Sequence, residues 1–255
     1  MTRLGVDNKG RLNLDEYRDA LDDDTAIVSI MWANNEVGNI YPIKKMAEMA
    51  RERGILFHTD AVQAAGKIPL DLADVPVDML SISGHKLHAP KGIGLLFVRK
   101  GVLFRPFMRV PYIVGLGVAC QLAKDSMHDE LTRVAALRDR LEKGIVSQIP
   151  DTLVNGDTEN RVPNTTNISF RNIEGEAILL MLNQYNICAS SGSACTSGSL
   201  EPSHVLHAMG VPFKYAHSST RLSLSRYNTQ EEVDFAISKF PEIIATLRKL
   251  SPFKD

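Results

Sequence analysis

The stretch Asp78-Met79-Leu80-Ser81-Ile82-Ser83-Gly84-His85-Lys86 runs from an apolar strand directly into a polar quartet. Similar junctions precede it. Ala26 to Trp32 is a short apolar run rich in β-formers and reads as a buried strand, ending in Ala33-Asn34-Asn35-Glu36-Val37-Gly38. Pro42 opens a helical pattern in which Ile43, Met46, Ala47 and Ala50 recur at helical spacing, and Gly54 closes it. Ile55 to Thr59 is another strand, ending at Asp60, and Gly94 to Val98 follows as the next after Ser83. This alternation predicts an α/β fold with a largely parallel sheet. In such sheets polar residues at the carboxyl ends of the strands line the ligand crevice, and Asn35, Asp60, Ser83, His85 and Lys86 all fall there.

Beyond that sheet, Ile113 to about Ile149 is a mostly helical stretch without proline that carries Leu122, Leu131, Val134, Leu137 and Leu141. A strand at Thr166 to Phe170, a helix at Gly175 to Gln184, strands at Ile187 to Ala189 and Thr220 to Ser225, and an amphipathic helix at Thr229 to Leu250 predict a smaller α+β unit. The expected organisation is a large sheet domain over 1–110, a connecting helical segment over 111–146 and a small domain over 147–255. Ser190 to Ser199 is a run of small residues around one thiol, Cys195.

Charge excludes some partners. The 255 residues hold 29 basic and 30 acidic side chains, a formal charge of -1, so no field favours nucleic acid or an anionic membrane. No apolar run approaches the roughly 20 residues of a spanning helix, and Met1 to Gly10 lacks a signal-peptide core, so a cytoplasmic location is expected. Three cysteines at irregular spacing fit neither a disulfide framework nor a zinc site. Cys120 and Cys188 lie in apolar segments and read as structural. His204 and His207, like His85 and His88, lack a further spaced ligand, so no metal site is expected.

A lysine at the end of an inner strand is partly desolvated, which lowers its pKa and suits it to Schiff-base chemistry. Ser83 and His85 beside Lys86 offer donors for phosphate; the plain alternative is a surface turn. Asp60, in His58-Thr59-Asp60-Ala61-Val62-Gln63, ends the preceding strand and can lie beside Lys86. A carboxylate there suits pyridoxal phosphate, whose pyridine nitrogen stays protonated when paired with an acid, and Gln63 can bond the ring's phenolic oxygen. The plain alternative for Asp60 is a helix N-cap. In Thr220 to Ser225, strand alternation puts Arg221 on one face with Ser223 and Ser225, where a guanidinium fork could grip a carboxylate or simply face solvent.

Taken in order, ANNEVG at 33–38, HTDAVQ at 58–63, SGHK at 83–86 and SSGSACTSG at 190–198 resemble the NifS/IscS cysteine desulfurases, a branch of the class-V aminotransferase-like enzymes. The resemblance runs over nearly the whole chain. It implies the pyridoxal-phosphate-dependent transferase fold type I, aspartate-aminotransferase-like. By resemblance, Lys86 and Cys195 are catalytic; Asn35, Asp60, Gln63, Ser83, His85 and Lys86 bind pyridoxal 5'-phosphate; and Asn35 and Arg221 bind the substrate. Cys195 takes the sulfur of L-cysteine as a persulfide, releasing L-alanine, and a transient role as an iron–sulfur ligand stays open for it.

The same resemblance implies an iron–sulfur scaffold protein as sulfur acceptor, a homodimer, and a part in cluster assembly, with nitrogen fixation or housekeeping supply undivided. It also implies a region ahead of Met1 carrying a phosphate loop and a ring-stacking histidine, and a Gly/Arg-rich segment where Arg109-Val110 runs into Pro111-Tyr112. The large domain is therefore expected to be N-terminally incomplete, with exposed apolar surface. The competing readings are a selenocysteine lyase-like enzyme and a non-catalytic fragment or split-enzyme interaction module.

Overall fold

The structure is a computed structural model and describes residues 1–104, 112–191 and 203–252. The chain divides into two compact units, the first formed by Met1–Gly5, Leu12–Asn34 and Ile40–His128, the second by Val6–Arg11, Asn35–Asn39 and Asp129–Asp255.

The first unit holds a four-stranded sheet in the order β1 (Ile27–Met31), β2 (Leu56–Asp60), β3 (Met79–Ser83), β4 (Gly94–Val98). β1, β2 and β3 run parallel. β4 is antiparallel to β3. Only Gly84 to Ile93 separates β3 from β4, fewer residues than the dozen or so a parallel crossover requires. Alternation gives the sheet two faces. On one, Phe57, Thr59 and Leu80 are buried, as are Ile43, Met46, Ala47 and Ala50 of the helix Ile43–Glu52. Those four are the residues whose spacing predicts the helix, and burying each large one is worth roughly 1.5–3 kcal/mol. Tyr17 is tied to this helix by its hydroxyl, which donates to the Met46 carbonyl at 2.9 Å. The other face carries Ile27, Ser29 and Met31 of β1 and Leu56, His58 and Asp60 of β2; Ile27 is 50% exposed and Leu56 37%.

The second unit is built on an antiparallel sheet, β5 (Thr152–Asn155), β6 (Thr165–Phe170) and β7 (Thr220–Ser223), in that order. Ile168 and Phe170 of β6 meet Leu141 and Ile145 of the helix Ala135–Gln148, Ile178 and Leu182 of Gly175–Asn183, and Phe240, Ile243 and Ile244 of Gln230–Leu250. The last helix starts at a capping box in which Thr229 and Glu232 bond each other's backbone amides, and it continues through Pro241. The opposite face of β6 is buried and polar. Asn155 donates from Nδ2 to Asn167 Oδ1 and to Ser169 Oγ, both at 2.8 Å, and Thr165 and Ser223 hydroxyls lie 3.2 Å apart.

Several elements differ from expectation. The helical stretch is broken into Ile113–Asp125, a short turn at Met127–Asp129, a π-helical segment Glu130–Val134 and Ala135–Gln148. Its two ends serve different cores: Leu116, Ala119 and Ala123 pack with Ala65, Leu87 and Ile93 in the first unit, and Leu137, Leu141 and Ile145 pack in the second. Ile187 to Ala189 is not a strand; only an isolated bridge joins Ser190 to Arg221. The third strand of the small sheet is instead Thr152–Asn155. Among the described residues no helix is long and apolar enough to cross a membrane.

Candidate active site

Asp60 is the last residue of β2 and Ser83 the last of β3, and the parallel register pairs Asp60 with Ser81. Two neighbouring strands thus bring their polar ends to one edge. Past Ser83 the chain closes a single 3₁₀ turn, Gly84–Leu87. Glycine is required there, because a Cβ on residue 84 would sit 2.9 Å from the Ile93 carbonyl oxygen and 2.8 Å from Ile93 Cγ2. The Gly84 amide donates to that same carbonyl at 2.8 Å. Leu87, 4% exposed, anchors the far end of the turn in the apolar cluster with Ala65 and Ile93. The anchored turn holds Lys86 half-buried and His85 exposed. Ser83 Oγ lies 2.7 Å from His85 Nδ1, a hydroxyl and imidazole side by side beside the lysine.

Asp60 presents an exposed carboxylate whose Oδ1 accepts from the Val62 amide at 2.9 Å. Among the described residues no helix follows β2 before β3, so the helix N-cap that a plain reading assigns to Asp60 is absent; its side chain closes a turn at the strand end instead. Gln63 is half-buried in the turn that follows. Asp60, Gln63, Ser83, His85 and Lys86 therefore all lie at, or just past, the carboxyl ends of β2 and β3.

Sequence reasoning passed over His58. Its Nδ1 is 2.8 Å from Ser29 Oγ on β1, and its Nε2 is 2.8 Å from Ser81 Oγ on β3. Burial lowers the pKa of His58, with the nearby charge of Asp60 acting against that shift. The available signal was strand alternation, which puts Ser29 and His58 on the outer face of β1 and β2.

Asn35 and Arg221, the residues expected to bind substrate, both belong to the second unit. Arg221 lies on β7 opposite Asn167 of β6. Its Nη1 donates to the Asn35 carbonyl at 2.8 Å, and Asn167 Nδ2 donates to the Glu36 carbonyl at 3.2 Å. Asn39 completes the hold on this turn, donating to the Lys9 carbonyl at 2.7 Å and accepting from the Asp157 amide at 2.8 Å. Glu36, 1% exposed, accepts a hydrogen bond from Ser203, the N-cap of the helix His204–Ala208. Glu36, Asn167 and Ser203 were not singled out from sequence, since their partners lie more than a hundred residues apart.

Cys195 lies outside the described residues. Cys120 is half-buried, and burial pushes its thiol pKa up, as suits a structural cysteine. Cys188 is exposed, against the expectation from its apolar neighbours. Among the described residues no group of three or more His, Cys, Asp or Glu side chains could hold a metal ion.

Residues 1–108 and 107–235 match the family described as aminotransferase class-V. The chain belongs to the class-V aminotransferase family. Among curated class-V relatives it is 58% identical to a cysteine desulfurase of Gluconacetobacter diazotrophicus, over 99% of this chain and 66% of that protein. It is 54% identical to the cysteine desulfurase NifS of Azotobacter vinelandii, over 98% of this chain and 66% of that one. The chain thus spans about two thirds of the length of these curated relatives. Among solved structures, a NifS-like protein superposes with a TM-score of 0.87 at 35% identity, covering 96% of this chain and 68% of that one. A NifS-like protein from Rickettsia africae gives 0.84 at 29% identity, covering 95% and 69%. The α/β, type I transferase fold expected from the motifs is the fold of these neighbours.

Proposed function

We propose that this protein acts as a cysteine desulfurase that uses pyridoxal 5'-phosphate to take sulfur from L-cysteine, giving L-alanine and a persulfide on Cys195. The observation that carries the proposal is that an exposed carboxylate ends β2 while, on the strand paired with it, a hydroxyl–imidazole pair and a half-buried lysine lie at and just past the end of β3. That donor set fits the cofactor, since it supplies an anion for the pyridine nitrogen, an amine for the aldehyde and donors for the phosphate. When bound, pyridoxal phosphate supplies the electron sink for charge developing at the substrate Cα.

The protein's own residues do the rest. Lys86 would hold the cofactor covalently through its amine and would carry the Cα proton of the substrate. Asp60 keeps the ring nitrogen protonated, Gln63 donates to the phenolic oxygen, and Ser83 with His85 donates to the phosphate. Arg221 and Asn35 take the substrate carboxylate and orient the Cα–H bond. Cys195 attacks the substrate sulfur as thiolate, so its ionised fraction sets the rate. Identity to proteins named cysteine desulfurase supports the choice of substrate. An iron–sulfur scaffold protein as acceptor, a homodimer, a cytoplasmic place and a part in nitrogen fixation belong to the same proposal, as does a transient iron–sulfur ligand role for Cys195.

Absorbance spectra with and without L-cysteine test it. Added pyridoxal phosphate should give a visible band that L-cysteine alters, with alanine released. Lys86→Ala should lose alanine release, and Cys195→Ser should keep the band but form no persulfide. A protein that stays colourless, and from which borohydride fixes no cofactor to Lys86, overturns the reading.

A further inference from the structure

The Ser29–His58–Ser81 bridge is not explained by the roles above. His58 sits in the middle strand of β1–β2–β3, and its ring reaches a hydroxyl on each neighbour at 2.8 Å. Ser29 pairs with His58 in the β1–β2 register, and Ser81 pairs with Asp60 in the β2–β3 register. The Nε2 bond is therefore diagonal and ends at the row occupied by Asp60. Two residues beyond His58 on the same strand is Asp60; two beyond Ser81 is Ser83, where the lysine turn begins. One ring ties together the two strand ends that carry the acid and the lysine.

The bridge suits this task chemically. A serine hydroxyl can donate or accept, so a neutral imidazole with a single N–H satisfies both of its nitrogens whichever one holds the proton. Burial favours that neutral form. The neutral ring leaves the Asp60 carboxylate without a cationic side chain two positions away on its own strand. The core of this unit lies on the opposite face, through Phe57, Thr59 and Leu80, so packing does not require the bridge.

We infer that His58 is a positioning residue: its bond to Ser81, braced by Ser29, fixes Asp60 relative to the Ser83–Lys86 turn and so sets how well one cofactor ring fits both. The inference rests on the proposed function, in which Asp60 and Lys86 hold the same ring.

The test is an absorbance titration of pyridoxal phosphate onto the wild type and variants, with melting of each protein in the absence of cofactor. A Gln amide reaches about where Nε2 stands and an Asn amide about where Nδ1 stands, so His58→Gln keeps the link to β3 and His58→Asn breaks it. Ser81→Ala and His58→Asn should each weaken cofactor binding about tenfold, and together no further than either alone. His58→Gln should stay within about threefold of wild type, with melting temperatures that do not rank the variants in this order. Wild-type affinity in Ser81→Ala and His58→Asn overturns the inference, as does equal weakening by His58→Gln and His58→Asn. If the His58 variants fold poorly, the two serine variants decide: Ser29→Ala should weaken binding less than Ser81→Ala, and the reverse order refutes the bridge. A wild type that binds no cofactor is a different failure, removing the functional reading and this inference with it.

Discussion

Arg221 donates from Nη1 to the main-chain oxygen of Asn35 at 2.8 Å, joining two residues 186 positions apart in sequence. Because Asn167 bonds the next carbonyl, that of Glu36, from the strand paired with Arg221, the turn and the guanidinium are held as one piece. If this pair receives the substrate carboxylate, Arg221→Lys keeps the charge but loses the planar fork. The KM for L-cysteine should rise by about tenfold or more while the absorbance of bound cofactor stays as in wild type. Steady-state kinetics beside a spectrum separates the two, and an unchanged KM would remove Arg221 from substrate binding.

Acid should find a weak point in the second unit at Asp157. The hydrogen bond from Arg11 Nε, at 2.5 Å, is the main cause holding its pKa well below the usual carboxylate range; burial acts against it, and the Glu159 amide assists. A carboxylate depressed in the folded state stabilises it fully above its unfolded pKa, roughly 3.9, and the contribution disappears as pH falls towards the folded value. Asp157→Asn should thus cost about 1–3 kcal/mol near neutrality, and the gap to wild type should narrow at pH values below about 4. Urea unfolding at both pH values measures it. A gap that does not change with pH would mean that packing, not ionisation, accounts for the loss.

Phe170 tests the small-domain core. It is fully buried and stacks on Phe240, with ring centroids 5.8 Å apart. Phe170→Ala should cost about 3–5 kcal/mol in denaturant unfolding. A cost under about 1 kcal/mol would mean that the helices collapse into the space left behind.

The sheet of the first unit was legible because its strands are apolar runs that end in polar residues, and the SGHK turn showed itself by following one directly. Direction was less so: β4 runs antiparallel because the link from Ser83 to Gly94 is too short to cross over. The small sheet was harder. Ile187 to Ala189 looks like a strand but gains only the Ser190–Arg221 bridge, whereas Thr152–Asn155 shows a weak pattern and is drafted by pairing with β6. Local preference is overruled there by long-range pairing. Asn35 illustrates the same limit at the site. Sequence adjacency assigns it to the end of β1, yet the bond from Arg221 to its carbonyl, and that from Asn167 to the next carbonyl, place it in the second unit. His58 escaped notice because strand alternation gives only the face it lies on, and its meaning arises once β1 and β3 flank it with Ser29 and Ser81.

Gly84→Ala offers a direct check that the lysine turn, rather than the lysine alone, governs the site. A methyl group at this position would meet the main-chain oxygen of Ile93 at 2.9 Å, and that oxygen already accepts the Gly84 amide. Backbone cannot swing aside as a side chain can, so the turn must shift and carry Lys86 with it; the overpacking should cost about 1–3 kcal/mol. Gly92→Ala is the matched control. Its φ of +88° penalises a side chain by roughly 1–2 kcal/mol, but nothing lies within 4 Å of the added carbon. Both variants should lose stability in denaturant unfolding, and only Gly84→Ala should also lose affinity for pyridoxal phosphate in an absorbance titration. Equal loss of affinity in both would show that general destabilisation, not the placement of the turn, controls binding.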